Sequence, residues 1–472
     1  MTMRKVLIVA YYFPPHATVG GLRPLGFCRY LHKFGWLPHV VSTDMKSVHP
    51  PCPSDDSLCQ SLPVNVTIDR IPYSNPLHAL LKYRERIRRL LGVVTPRPEH
   101  QEEKRDSGRS LPVPPRVTPQ LSWRKIKTFI LDRAFDFPDQ QRHWFQSVKQ
   151  KIARISSKDY PDLVFATGGP WTGLLVGRAL ARRFRVPFVA DFRDPWVSDP
   201  SHEFSSRLLN RRLEKLEAAV CASAAAVVVN TEELRQNFID RYPDLAGKFV
   251  TITNGFNFGS EAYQVTTQSE SYKGREGTYE LCHFGNVYGG RNATSLFQAV
   301  MELHKESRLL PHQLRLRFVG SWEVADPASQ ELAKYLEQEG FLRCEPPLPH
   351  RLCLQEMAAA HILLILQPHS AVRIPAKTYE YIASGRPIIL IGEEGAASHL
   401  IERHRLGRWC QNTVPTIKAL IADIVAGETM INPPASEDIR RFDYSVLTNQ
   451  LSNVFDKVML GEPVSGLSSP KT

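Results

Sequence analysis

Short apolar runs recur along this chain, each followed by a stretch with helical spacing, and that rhythm restricts its fold more than anything else. In the first half the runs are KVLIVAYY (5–12), PHVVST (38–43), PDLVFAT (161–167), PFVADF (187–192) and AAAVVVNT (224–231). In the second half they are YELCHFG (279–285), LRLRFVG (314–320), AHILLILQ (360–367) and PIILIG (387–392). Apolar runs without polar alternation are buried on both faces, as in a parallel sheet covered by helices. The helical stretches between them supply the crossovers, so the predicted class is α/β, doubly wound. At 472 residues the chain is too long for one core. The rhythm lapses in a polar stretch, which sets the expected division: an N-terminal domain over 1–256, a linker over 257–277 and a second α/β domain over 278–440. A C-terminal helix over 441–460 and a flexible tail over 461–472 complete it.

Charge and cysteine content narrow the function classes. Eight cysteines lie scattered without a CxxC or a Cys/His cluster, so neither a disulfide framework nor a zinc site is expected. No apolar run is long enough for a membrane span. The start MTMRKVLIVAYYFPP lacks a small-residue cleavage site and reads as a first strand rather than a signal peptide. The net charge of +11 is concentrated in residues 78–133, where 14 Lys/Arg face 6 Asp/Glu. This is expected to be a basic, partly disordered insertion, since 95–120 is rich in proline and charge. HALLKYRERIRRLL (78–91) and WRKIKTFILDR (123–133) suit either an anionic membrane surface or a plain solvated face. No nucleic-acid-binding module accompanies the charge, so nucleic acid is not an expected partner.

Candidate chemistry lies directly after the runs, where an open α/β sheet binds its ligands. Gly20–Gly21 opens a helix after the first run, with Arg23 close by as a charged contact. GGPWTG (168–173) is a second glycine turn, and VADFRDPW (189–196) places Asp191, Arg193, Asp194 and Trp196 after a buried strand. Asn286, Gly289, Gly290 and Arg291 form another turn before a helix, and Gly320 ends its run in the same manner. Singly, each reads equally as a tight turn or a loop-tying Arg–Asp pair; in register over two domains they point to an anionic ligand between them. In RIPAKTYEYIASGRPIILIG (373–392), Pro375 and Gly385 bracket a short helix, roughly Pro375 to Ser384. Lys377 and Glu380, three apart, share one face of it, as a solvent-exposed ion pair or as an anion site.

The stretches YYFPPHATVGGLRP, FPDQQRHW, PDLVFATGGPWTGLLVGRAL, VPFVADFRDPW, VVVNTEEL, ITNGF, FGNVYGGRN and IPAKTYEYIASGRPI follow one another over nearly the whole chain. In this ordered set the chain resembles the family-4 (group 1) glycosyltransferases of GT-B fold that assemble bacterial exopolysaccharide and O-antigen. The resemblance implies two Rossmann-like domains facing across a cleft, with the acceptor on the N-terminal one and a nucleotide-sugar donor on the C-terminal one. Arg291 and Lys377, helped by the helix N-terminus, would offset the diphosphate, and Glu380 would accept hydrogen bonds from the ribose hydroxyls. Asn286 and Gly320 belong to the implied donor side, with Gly20 and Gly21 reaching it across the cleft. Asp194 and Arg193 are the implied catalytic residues, and His16, Arg23 and Trp196 lie on the implied acceptor side.

The absence of a DxD motif suits an enzyme with neither metal nor other cofactor. The family implies retention of anomeric configuration, the leaving phosphate assisting the incoming hydroxyl. It also implies a glycan or lipid-linked acceptor; a place in the cytoplasm is expected, on the inner leaflet if the basic stretch meets a membrane surface. Two departures stand out. Val372 occupies the position of a second, sugar-binding glutamate of many relatives, and GGPW stands where many have a histidine. They leave open a non-catalytic GT-B nucleotide-sugar binding protein; a sugar-nucleotide epimerase or a phosphorylase is a further alternative.

Overall fold

A computed structural model describes residues 3–48, 52–74, 137–152, 161–199, 203–204, 206–257, 278–288, 293–323, 326–367, 371–428 and 432–464. The basic insertion, nearly all of the 257–277 linker, the turn 289–291 and residues 465–472 of the tail lie outside them.

In the N-terminal lobe seven strands, β1 (Arg4–Val9), β2 (Trp36–Thr43), β3 (Thr67–Ile71), β4 (Leu163–Thr167), β5 (Phe188–Phe192), β6 (Ala226–Val229) and β7 (Phe249–Thr251), form one sheet. Its order is β3-β2-β1-β4-β5-β6-β7, and every pair is parallel. The C-terminal lobe repeats the plan with β8 (Tyr279–Phe284), β9 (Val287–Tyr288), β10 (Leu314–Val319), β11 (Trp322–Glu323), β12 (Leu342–Glu345), β13 (Ile362–Leu366), β14 (Ile388–Ile391) and β15 (Gly407–Cys410). The order of its main sheet is β12-β10-β8-β13-β14-β15, with β9 and β11 paired separately. Each sheet reverses its winding once, between β1 and β4 and between β8 and β13, and ligands of such sheets bind outside those carboxyl ends.

Sequence and burial agree along the central strands. LVFAT in β4, AVVV in β6, ILLIL in β13 and IILI in β14 are buried at every position. Apolar clusters cover both faces of each sheet. Among the described residues no helix is long and apolar enough to cross a membrane.

The last helix, Tyr444–Leu460, follows the C-terminal lobe in sequence but joins the core of the N-terminal one. Phe455 meets Trp36 and Phe165 edge-on, at centroid distances of 5.2 and 5.6 Å, and Tyr444 meets Phe27 at 5.6 Å. Burying one such ring contributes about 2–3 kcal/mol. The chain therefore crosses between lobes twice, side by side: Phe256 N donates to Phe442 O at 3.0 Å and Tyr444 N to Phe256 O at 2.9 Å.

Candidate functional site

At the strand ends of the N-terminal lobe, most charged and aromatic side chains are built into the scaffold. Arg23 is 2% exposed and Asp191 is fully buried. Arg23 Nε lies 3.1 Å from both Asp191 oxygens, and its Nη2 donates to Asp191 Oδ1 at 2.9 Å and Ile252 O at 2.8 Å. Nη1 donates to Thr253 O at 2.6 Å. Burial disfavours the charge of Arg23, but the Asp191 carboxylate outweighs it and raises the guanidinium above its ordinary value. Arg23 thus locks the first helix to β5 and to the interlobe crossing. Expected on the acceptor side, it has its donors engaged in this buried pair.

Arg193 holds three loops together. Its Nε donates to Gly168 O at 2.6 Å, Nη1 to Gly20 O and Nη2 to Gly169 O. Expected as a catalytic residue, Arg193 turns its guanidinium onto three backbone carbonyls and positions the glycine loops. Trp196 is fully buried and stacks on Trp171 at 5.2 Å, tilted by 11°, so it offers no face to a sugar. His16 is also fully buried, with Nδ1 2.7 Å from Phe13 O, and burial lowers the basicity of its imidazole. Both were expected on the acceptor side, and both are buried in the structure. Gly20 and Gly21 lie in the first turn of the helix Val19–Tyr30, with Gly21 N donating to Thr18 O at 2.9 Å. Asp194 differs from its neighbours: its side chain is 47% exposed and lies 3.5 Å from Arg373 Nε of the other lobe.

In the C-terminal lobe the corresponding rim keeps its charges accessible. Gly285 (φ +154°) and Gly320 (φ +151°) end β8 and β10 in conformations that favour glycine. They touch so closely that a Cβ on Gly320 would fall 2.2 Å from Gly285 O. Asn286 joins the same turn, its Oδ1 accepting from Ser321 N at 3.2 Å. A Cβ on Gly285 would lie 3.9 Å from Lys377 Cδ, so the lysine stem runs beside this pair.

Lys377 opens the helix Lys377–Ala383, which lies within the expected span. Lys377 Nζ is 3.5 Å from Glu380 Oε2 and remains 36% exposed. Glu380 Oε1 lies 3.3 Å from His350 Nε2. Burial pushes the Glu380 carboxyl up, but His350 and Lys377 outweigh it and hold the group below the ordinary carboxylate value. Glu380 in turn raises the His350 imidazole, against the effect of burial. Asn286, Gly320, Lys377 and Glu380 are thus contiguous through Gly285; Arg291 lies outside the described residues.

His350 was not singled out from the sequence. The signal was available, since it opens the helix His350–Ala359 directly after a loop, the placement that marked the other candidates. Arg373 was also missed: it pairs with Asp199 of the other lobe, and nothing local announces a partner 174 residues away.

The model of the family described as a glycosyl transferase 4-like domain matches residues 21–255. Among solved structures, HepE of Anabaena in complex with UDP superposes with a TM-score of 0.56 at 14% identity, over 96% of this chain and 100% of that one. A glycosyltransferase from Rickettsia africae gives 0.57 at 11% identity, over 97% and 99%. A Listeria monocytogenes protein assigned as a UDP-N-acetylglucosamine 2-epimerase gives 0.50 at 11%, over 96% of each chain. No curated protein matches. Residues 21–255 match the glycosyl transferase 4-like domain, and its sheet is paired with a second Rossmann-like lobe in the GT-B fold of a glycosyltransferase that resembles family 4.

Proposed function

We propose that the chain transfers a sugar from a nucleoside-diphosphate sugar to a glycan or lipid-linked acceptor, with retention at the anomeric carbon, in the assembly of a surface polysaccharide. One observation carries this: Lys377, Glu380 and His350 form a partly exposed charge cluster beside the Gly285–Gly320 contact, at the carboxyl ends of the C-terminal strands. Lys377, with Arg291, would meet the diphosphate oxygens as charge-assisted donors. Glu380, kept ionised by its neighbours, is an acceptor for a ribose diol. HepE, which has a similar fold, has been crystallised with UDP and with UDP-glucose, which supports a uridine nucleotide as the first probe.

The accessible N-terminal carboxylate is Asp194, while Arg193, Arg23 and His16 are engaged in the scaffold. This favours a step in which the donor's own phosphate acts as base. The anomeric C–O bond to the diphosphate breaks, the C–O bond to the acceptor forms on the same face, and the acceptor proton passes to the departing phosphate oxygen. Asp194 would orient the acceptor hydroxyl. The basic insertion at 78–133 would bring the enzyme to the anionic cytoplasmic leaflet, where a lipid-linked acceptor is presented.

The test is a panel of nucleotide sugars scored by thermal shift and then by release of nucleoside diphosphate with and without acceptor. Lys377→Ala should weaken nucleotide affinity about 10- to 100-fold, the range for losing a hydrogen bond to a charged group. Unchanged affinity in Lys377→Ala and Glu380→Gln would remove the proposed donor site. Binding without turnover would favour the non-catalytic alternative, and conversion of the donor sugar without acceptor would favour epimerisation.

A further inference from the structure

Residues 371–376, which lead into the helix of Lys377 and Glu380, are held from both lobes. On their own lobe, Ala396 N donates to Ala371 O at 2.8 Å and Gln367 Nε2 to Arg373 O at 3.4 Å. From the N-terminal lobe, Thr231 Oγ1 donates to Val372 O at 3.0 Å, and the Val372 side chain packs against the core of that lobe. Thr231 also caps the helix Glu232–Arg241, accepting from Leu234 N at 3.1 Å, so the contact reaches a rigid element. Next in sequence, the Arg373 guanidinium pairs with Asp199, whose side chain is 6% exposed, and lies 3.5 Å from Asp194. An ionised carboxylate at a lobe boundary that loses such a partner is costly to keep buried.

We propose that Arg373 is a positioning residue, holding the lobes closed through Asp199 and Asp194 and thereby setting where Lys377 and Glu380 stand in the cleft. Val372, whose position holds a sugar-binding glutamate in many relatives, serves in this chain as the adjoining interlobe contact. The closure rests on the interlobe geometry alone; its consequence for the donor rests on the function proposed above. Lys377 lies four positions after Arg373, so a displacement of residues 371–376 carries directly into the donor helix.

The test uses the full chain as Arg373→Ala, Arg373→Lys and Asp199→Asn, with small-angle scattering for the separation of the lobes and calorimetric titration with UDP. Arg373→Ala and Asp199→Asn should enlarge the radius of gyration while circular dichroism stays native, and Arg373→Lys should recover part of the closure. UDP affinity should fall about tenfold in Arg373→Ala, within the usual range for coupling between a conformational equilibrium and a ligand. Equal radii in the wild type and the folded variants overturn the proposal. Reduced UDP affinity at an unchanged radius overturns it too, since Arg373 would then be a direct ligand group. If Arg373→Ala does not fold, Asp199→Asn and Arg373→Lys decide. If the wild type takes up no UDP, the donor assignment for that nucleotide falls, and the scattering comparison still decides the closure.

Discussion

After β4 and after β13 the chain turns into a helix at matching places in the two sheets. In the N-terminal lobe that helix begins at Thr172, and the chain supplies its own carboxyl acceptor there. Asp139 accepts from Thr172 N and from Thr172 Oγ1, each at 2.6 Å. In the C-terminal lobe the helix begins at Lys377, a partly exposed cation facing Glu380 at 3.5 Å. Arg193 extends the contrast, since its guanidinium is turned onto backbone carbonyls while Lys377 runs its stem beside Gly285 and stays partly exposed. Two lobes of one topology therefore divide the work. One has closed its strand ends on itself, and the other has kept its charge partly exposed.

The sharpest way to break this comparison is to remove Arg23. Arg23→Ala leaves Asp191 buried and unpaired, and should cost about 3–5 kcal/mol in chemical denaturation. Replacing both partners by apolar residues, Arg23→Met with Asp191→Leu, should recover most of that loss. A small effect of Arg23→Ala would mean that the N-terminal rim is not scaffold. Lys377→Ala should behave in the opposite way, with stability within about 0.5 kcal/mol of wild type despite the loss in nucleotide affinity. Equal losses of stability in the two variants would erase the distinction between the lobes.

Asp139→Ala tests the self-supplied carboxyl acceptor and should cost about 1–3 kcal/mol, the penalty for leaving the Thr172 donors unsatisfied. The smallest expected effect is on pH dependence. His399 Nδ1 lies 2.7 Å from Glu233 Oε1 across the lobes, and that hydrogen bond raises the imidazole above its ordinary 6.5. The pair's contribution is complete below that value and fades as pH rises through the raised one. Scattering should therefore show slightly looser lobes on the alkaline side, and His399→Ala should abolish the trend.

Local signals were enough for much of the fold. β4, β6, β13 and β14 are legible because a strand buried on both faces has to be apolar at every position. The Lys377–Glu380 pair is legible because a spacing of three on a helix brings side chains together whatever surrounds them. Arg23 with Asp191, 168 residues apart, and Trp196 with Trp171 are different. The same residue types after a strand suit a substrate contact as well as a core contact, and only packing separates the two.

By its own pattern the chain determined two parallel sheets, the places where each strand ends, and a cation–carboxylate pair at one of those ends, because these depend on neighbours a few residues away. Tertiary structure alone decided which strand ends stay accessible, that Tyr444–Leu460 returns to the first lobe, and that Arg373 reaches Asp199. Those outcomes depend on which groups water can still reach once the lobes have packed, and burial of that kind is a property of the assembled surfaces.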